Sequence, residues 1–304
     1  MPFQCIWHLL SPLADYTKPT KLADSIQIQC GDNNLRSYFP ILSYWLADHM
    51  ENVNIHSVLT NRCTICPCPV STMGELPKPA LQYRNHLRYK SLDQQAEYDI
   101  LTTDGIKIVD NSLWHLTNIS PPSLVRPDLL HCIYLGMLTH LMDWILPFLE
   151  DIHRLTAFDD IWGNVPPYPS FTHPKKAYRQ VTQWNGKEMR NLGRIILVVF
   201  AAAIRRTADC DKLSPGQLQN ANKAIRAVRY LSDFHLVAQY RSHTPATIQY
   251  MQTYLEKFHQ QRSVFLKYRA GEKTALKAKV AIQESASASR QQLSVAKVAG
   301  ATKA

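Results

Sequence analysis

Three of the chain's seven cysteines, Cys63, Cys66 and Cys68, fall within the stretch "TNRCTICPCPV". A C-x-x-C turn sets two thiolates on one side of a tight loop, a spacing that suits half of a tetrahedral zinc site. The remaining ligands must come from elsewhere in the chain. Asp128 and His131 stand three apart in "DLLHC", so on a helix they share one face. A carboxylate and an imidazole are ordinary zinc ligands and complete a sensible set with Cys63 and Cys66. His86 is a rival fourth ligand, and Cys68 is an alternative thiol. Two plainer readings stand beside this one: a thiol redox pair, or buried cysteines and a satisfied core histidine. No pair of histidines has H-x-x-x-H spacing, which excludes a helical zincin.

Carboxylates are the other groups that could do chemistry. Asp48 closes the apolar run in "YFPILSYWLAD", where a strand-borne aspartate reaches a catalytic metal and where a helix N-cap equally belongs. Asp159 and Asp160 in "FDDIW" read as a helix start. No serine or cysteine nucleophile has a local base beside it.

The elements that must position these residues are mostly helical. "FQCIWHLLSPLADY" and "LRSYFPILSYWLADHMENV" are apolar segments around a polar turn at "GDNN", the second a strand running into a helix. Residues 71–122 are proline-containing and loop-rich, with one short helix near 91–103. "DLLHCIYLGMLTHLMDWILPFLE" is long enough to span a bilayer. His140 and Asp143 near its middle, with Gly136 and Pro147, favour a buried helix instead. Asn185-x-x-Glu188 is a capping box that opens a helix through "IILVVFAAAI", and Ser214-Pro215 and Thr244-Pro245 each supply an N-cap with proline at the first helical position. Behind these caps, apolar residues recur at three- and four-residue steps.

Charge adds little by its sum and more by its place. Of the net +10, about +6 lies from Lys267 onward, where eight Lys or Arg face two Glu. The body is mildly basic, compatible with a local DNA-binding patch or with a solvated surface. An odd cysteine count and the absence of a charged-then-apolar leader at the N-terminus predict a reducing, intracellular setting.

Several separated stretches, in order, resemble one family: "RSYFPILSYWLADHMENVNIHSVLTNRCTIC", "RPDLLHCIYLGMLTHLMDWILPFLE", "PPYPSF", "PKKAYRQVTQWNGKEMRNLGR" and "AQYRSHTPATIQYMQTYLEKFH". Together they are similar to the Plavaka-type transposase-like proteins of fungal genomes, relatives of the CACTA and Kyakuja-Dileera-Zisupton cut-and-paste DNA transposases. The resemblance spans roughly residues 4–270. It implies an RNase H-like domain in which two aspartates and a glutamate hold two magnesium ions for strand cleavage and transfer. It also implies a large helical insertion marked by C-x-x-C followed by D-x-x-H, matching Cys63, Cys66, Asp128 and His131 as a structural zinc site. Asp48 then corresponds to the second catalytic aspartate.

The expected fold is mainly α with a small α/β part, the remnant of an RNase H-like domain carrying a helical insertion. Its expected divisions are residues 1–60 (RNase H-like segment), 61–127 (cysteine-containing zinc insert), 128–268 (helical insertion) and 269–304 (basic tail, read as disordered). The family's first aspartate and final glutamate find no counterpart: Asp15 lies too close to Asp48, and Glu284 sits in "QESASAS". One carboxylate does not position two metal ions, so the resemblance predicts a truncated, catalytically inactive chain. DNA at transposon ends, a nuclear location and a homo-oligomer follow from the same resemblance, with no membrane or small-molecule partner. Two competing readings are a non-enzymatic helical interaction module of a host protein and a nuclease completed by a partner chain.

Overall fold

The computed structural model describes residues 2–16, 25–76, 82–85, 99–101, 103–107, 109, 111–116, 119–126, 128–171, 177–181, 183–206 and 213–268. His86, most of the helix predicted near 91–103, and the basic tail lie outside the described residues. The chain divides into two compact units, Met1–Cys132 and Ile133–Ala304.

The first unit begins with α1, Pro2–Tyr16. Its Leu10 is buried with Leu113, Leu116 and Leu124, and Ile6 and Leu13, one turn to either side, pack against the same cluster. Strands β1, Ile26–Gln29, and β2, Leu35–Tyr38, pair antiparallel, with Ile26 opposite Tyr38 and Gln29 opposite Leu35. The polar "GDNN" is the turn between them. The Asn33 N–H donates to the Cys30 carbonyl at 2.9 Å, and Asn33 has a φ of 62°, a left-handed conformation that its short polar side chain tolerates.

This hairpin is the only sheet among the described residues. The strand expected to deliver Asp48 ends at Tyr38, because Pro40 has no N–H to continue a ladder. The chain then runs extended, held by a parallel bridge between Trp45 and Val125 and by the Trp45 N–H donating to the Leu124 carbonyl at 2.8 Å. Helix α2, His49–Ile55, follows. A second cluster gathers Val58, Ile100, Ile106 and Trp114.

The second unit is built from long amphipathic helices. A π-helical stretch, Leu130–Met137, leads into α3, Leu138–Asp151. Leu130–Asp151 is long and apolar enough to cross a membrane, yet Leu138, Leu141, Met142, Ile145, Phe148 and Leu149 are buried within the protein. Helices α4, Leu155–Gly163, α5, Gly186–Arg205, α6, Pro215–Ala238, and α7, Pro245–Gln261, follow. The predicted caps at Asn185, Ser214 and Thr244 all form reciprocal capping boxes. Rings meet in the middle: Phe148 lies 6.0 Å from Phe200 and 5.7 Å from Phe265, centroid to centroid.

Asp159 and Asp160 do not start a helix. They lie inside α4, whose N-cap residue Arg154 makes no side-chain cap bond. Burial of Ala157, Phe158 and Trp162 holds this helix instead. Both aspartates meet arginines: the half-buried Asp159 pairs with Arg179, and exposed Asp160 Oδ2 lies 2.9 Å from Arg206 Nη1.

Candidate metal centre

The cysteine loop leaves a short antiparallel bridge between Val58 and Ile106. On its flanks the Leu59 N–H donates to the Gly105 carbonyl at 2.8 Å, and the Lys107 N–H to the Ser57 carbonyl at 2.7 Å. Arg84 then fixes the loop's shape. Its backbone N–H donates to the Ile65 carbonyl at 3.0 Å, its Nε to the Cys63 carbonyl at 2.8 Å and its Nη1 to the Asp104 carbonyl at 2.7 Å. A guanidinium, with its fork of fixed donors, suits the two distant carbonyls of Cys63 and Asp104, while the backbone N–H holds the third.

Within the loop the Ile65 N–H points at Cys63 Sγ, 3.4 Å away. Burial pushes the Cys66 thiol up, the Cys68 backbone contact opposes that, and the neighbouring Cys63 adds to it. Cys66 is therefore a protonated thiol at neutral pH when no metal is present, and metal binding must displace the proton. Cys68 Sγ is engaged nearby, 3.6 Å from both the Pro69 carbonyl and Thr72 Oγ1.

Asp128 and His131 form a second pair, as their spacing predicts. The His131 N–H donates to Asp128 Oδ1 at 2.7 Å, and His131 Nδ1 lies 3.2 Å from Asp128 Oδ2. The carboxylate thereby opens the helix and engages Nδ1, which leaves Nε2 as the nitrogen facing a ligand. This is the arrangement in which an outer carboxylate orients a metal-binding imidazole. Donor chemistry thus fits zinc in each pair: an N–H-supported thiol loop and a carboxylate-held histidine. The pairs are not brought together. Among the described residues no group of three or more His, Cys, Asp or Glu stands close enough to hold a metal ion.

Asp48 is committed to backbone. Its Oδ1 accepts the Glu51 N–H at 2.7 Å, while Glu51 Oε2 accepts the Asp48 N–H at 3.1 Å, a complete capping box for α2. A pair of magnesium ions needs several bridging oxygen ligands, and among the described residues no group of three or more His, Cys, Asp or Glu gathers around Asp48.

Two residues that spacing did not single out flank the cysteine loop. Arg84 is 3% exposed and His56 4%, and neither Arg84 Nη2 nor His56 Nε2 has a hydrogen-bond partner among the described residues. Burial, with the Arg84 charge adding, pushes the His56 imidazole down to about 4. No local pattern marks either residue, because their partners are distant in sequence.

The family model for Plavaka transposase matches residues 2–145, a span that contains Asp48, the three clustered cysteines, Asp128 and His131. No curated protein and no solved structure matches the chain. Both candidate ligand pairs fall inside the matched span, so residues 2–145, the N-terminal part of the chain, are similar to the Plavaka transposase family.

Proposed function

We propose that this chain is a zinc-stapled, DNA-binding derivative of a cut-and-paste transposase that performs no strand transfer by itself. The observation that carries the reading is the engagement of Asp48 in the α2 cap, since Asp48 is the one carboxylate that the resemblance assigns to catalysis. A capping box takes an oxygen that a bridging metal ligand has to keep free. The RNase H-like origin of the N-terminal part and a nuclear location rest on the family likeness.

Zinc is the structural part of the proposal. Cys63 and Cys66 supply thiolates and His131 supplies Nε2, while Asp128 orients the ring or ligates directly. Cys68 and His86 remain the alternatives for the fourth position. The ion, when bound, supplies a crosslink between the cysteine loop and the start of the long helix. The helix Leu130–Asp151 is read as a core helix, supported by its buried leucines, and not as a membrane span.

Elemental analysis of untagged protein tests this. About one zinc per chain is expected, lost in both Cys63→Ser and His131→Ala. Magnesium-dependent nicking of DNA that disappears in Asp48→Ala would overturn the inactive reading, and a folded protein without zinc would overturn the staple.

A further inference from the structure

We infer that the outer face of the α6–α7 hairpin is a docking surface for the phosphate backbone of duplex DNA. The inference rests on the DNA-binding part of the proposed function and assigns it to a place outside the family-matched span. On α6, Gln219, Lys223, Arg226 and Tyr230 recur at helical steps and share one face. Helix α7 packs antiparallel beside α6 after a short turn. It brings Lys257 across, with Nζ 5.6 Å from the centre of the Tyr230 ring. The cations of the two helices thus lie on one continuous surface.

These cations have no acidic partners among the described residues. Two carboxylates border the face, Asp233 lying 3.6 Å from Arg229 Nε and Glu256 accepting from Gln252 at 3.4 Å, against the three cations Lys223, Arg226 and Lys257. Arg226, Lys257 and Gln219 are exposed. What remains outward is a set of donors, ammonium, guanidinium, amide and phenol, carried on two well-capped helices. Phosphate oxygens accept hydrogen bonds and donate none, and these side-chain types are the ones that contact phosphate and sugar. The steps between cations suit a partner charged continuously along its length, which duplex DNA is, at about one charge per 1.7 Å. An acidic peptide offers sparser charge, and the chain would have to order it on binding.

The test is the salt dependence of binding to a mixed-sequence duplex of about 30 bp, using the full chain. Each lost phosphate contact lowers the log–log slope by about 0.9. The triple variant Lys223→Ala, Arg226→Ala, Lys257→Ala is expected to lose roughly 2.7 of slope. The charge-keeping triple Lys223→Arg, Arg226→Lys, Lys257→Arg is expected to retain it. Removing the same charge from Lys273, Lys277 and Lys279 serves as the comparison. A fall of less than about 1 in the face variant overturns this surface, even where the wild type binds DNA. Tighter binding to polyglutamate than to duplex at equal salt overturns the choice of partner. A wild type that binds no DNA overturns the DNA-binding reading itself, and the surface with it.

Discussion

The two units reach order by opposite means. In the helical unit, large side chains such as Phe158, Trp162 and Phe200 are fully buried, and three helices start on reciprocal capping boxes. In the N-terminal unit the elements after α1 are short, the apolar clusters among the described residues are small, and single polar side chains hold distant loops. The Arg84 guanidinium ties two carbonyls, and Asn111 Nδ2 reaches both the Ile55 carbonyl and Ser57 Oγ at 2.8 Å. Small apolar clusters bury too little area to offset the entropy of ordering the loops around them. The contrast gives a reason for the candidate metal to lie in the N-terminal unit. A crosslink there supplies what packing does not.

The sharpest way to break this comparison is chelation. Removing zinc is expected to open residues 57–107 to protease while amides of α5 and α6 stay protected from exchange. Structural zinc contributes on the order of 10 kcal/mol, so the effect is close to all-or-none. Equal protection of both regions with and without chelator would erase the distinction.

A smaller effect is expected from the opposite side. Phe200→Ala removes a ring buried against Phe148 and is expected to cost about 3–5 kcal/mol, read as a lower urea midpoint of the helical signal. The cysteine loop's zinc content is expected to be unchanged. A loss of zinc in this variant would mean that the loop's order depends on the helical core.

Acid sharpens the comparison least, because among the described residues each unit carries one imidazole with a lowered pKa. His56 and His235 are both pushed down to about 4, by burial first and then by arginines, Arg84 beside His56 and Arg194 and Arg190 beside His235. The unfolded chain takes up these protons near 6.5, so it binds more protons than the native state between about 6.5 and 4. Stability is full above that window and falls as pH drops through it, by roughly 3 kcal/mol at most for each imidazole. His235→Gln is expected to flatten this fall for the helical unit alone. An unchanged pH profile in urea titrations would remove His235 as the cause.

What was legible in the sequence follows from distance along the chain. Asn185, Ser214 and Thr244 were readable as caps because each meets its partner three residues on. Asp128 and His131 were readable as a pair for the same reason. Asp48 was legible as a cap from its place at the end of an apolar run, and the family likeness gave it a second meaning. Asp159 and Asp160 were misplaced because the true start of α4 carries no capping side chain, and packing alone sets it. Arg84 was invisible, since the carbonyls it holds lie about twenty residues away on either side.

The sequence by itself determined the capped helix starts at Asn185, Ser214 and Thr244, the Asp128–His131 pairing and the family likeness, all matters of local spacing and ordered motifs. Tertiary structure alone decided that Pro40 and its neighbours run extended outside any sheet, that Arg84 clamps the cysteine loop, and that Lys257 crosses to Tyr230. The physical reason is range. Capping and periodicity act within a turn or two of chain, whereas a buried guanidinium or a ring–cation contact exists only once distant segments have closed on each other.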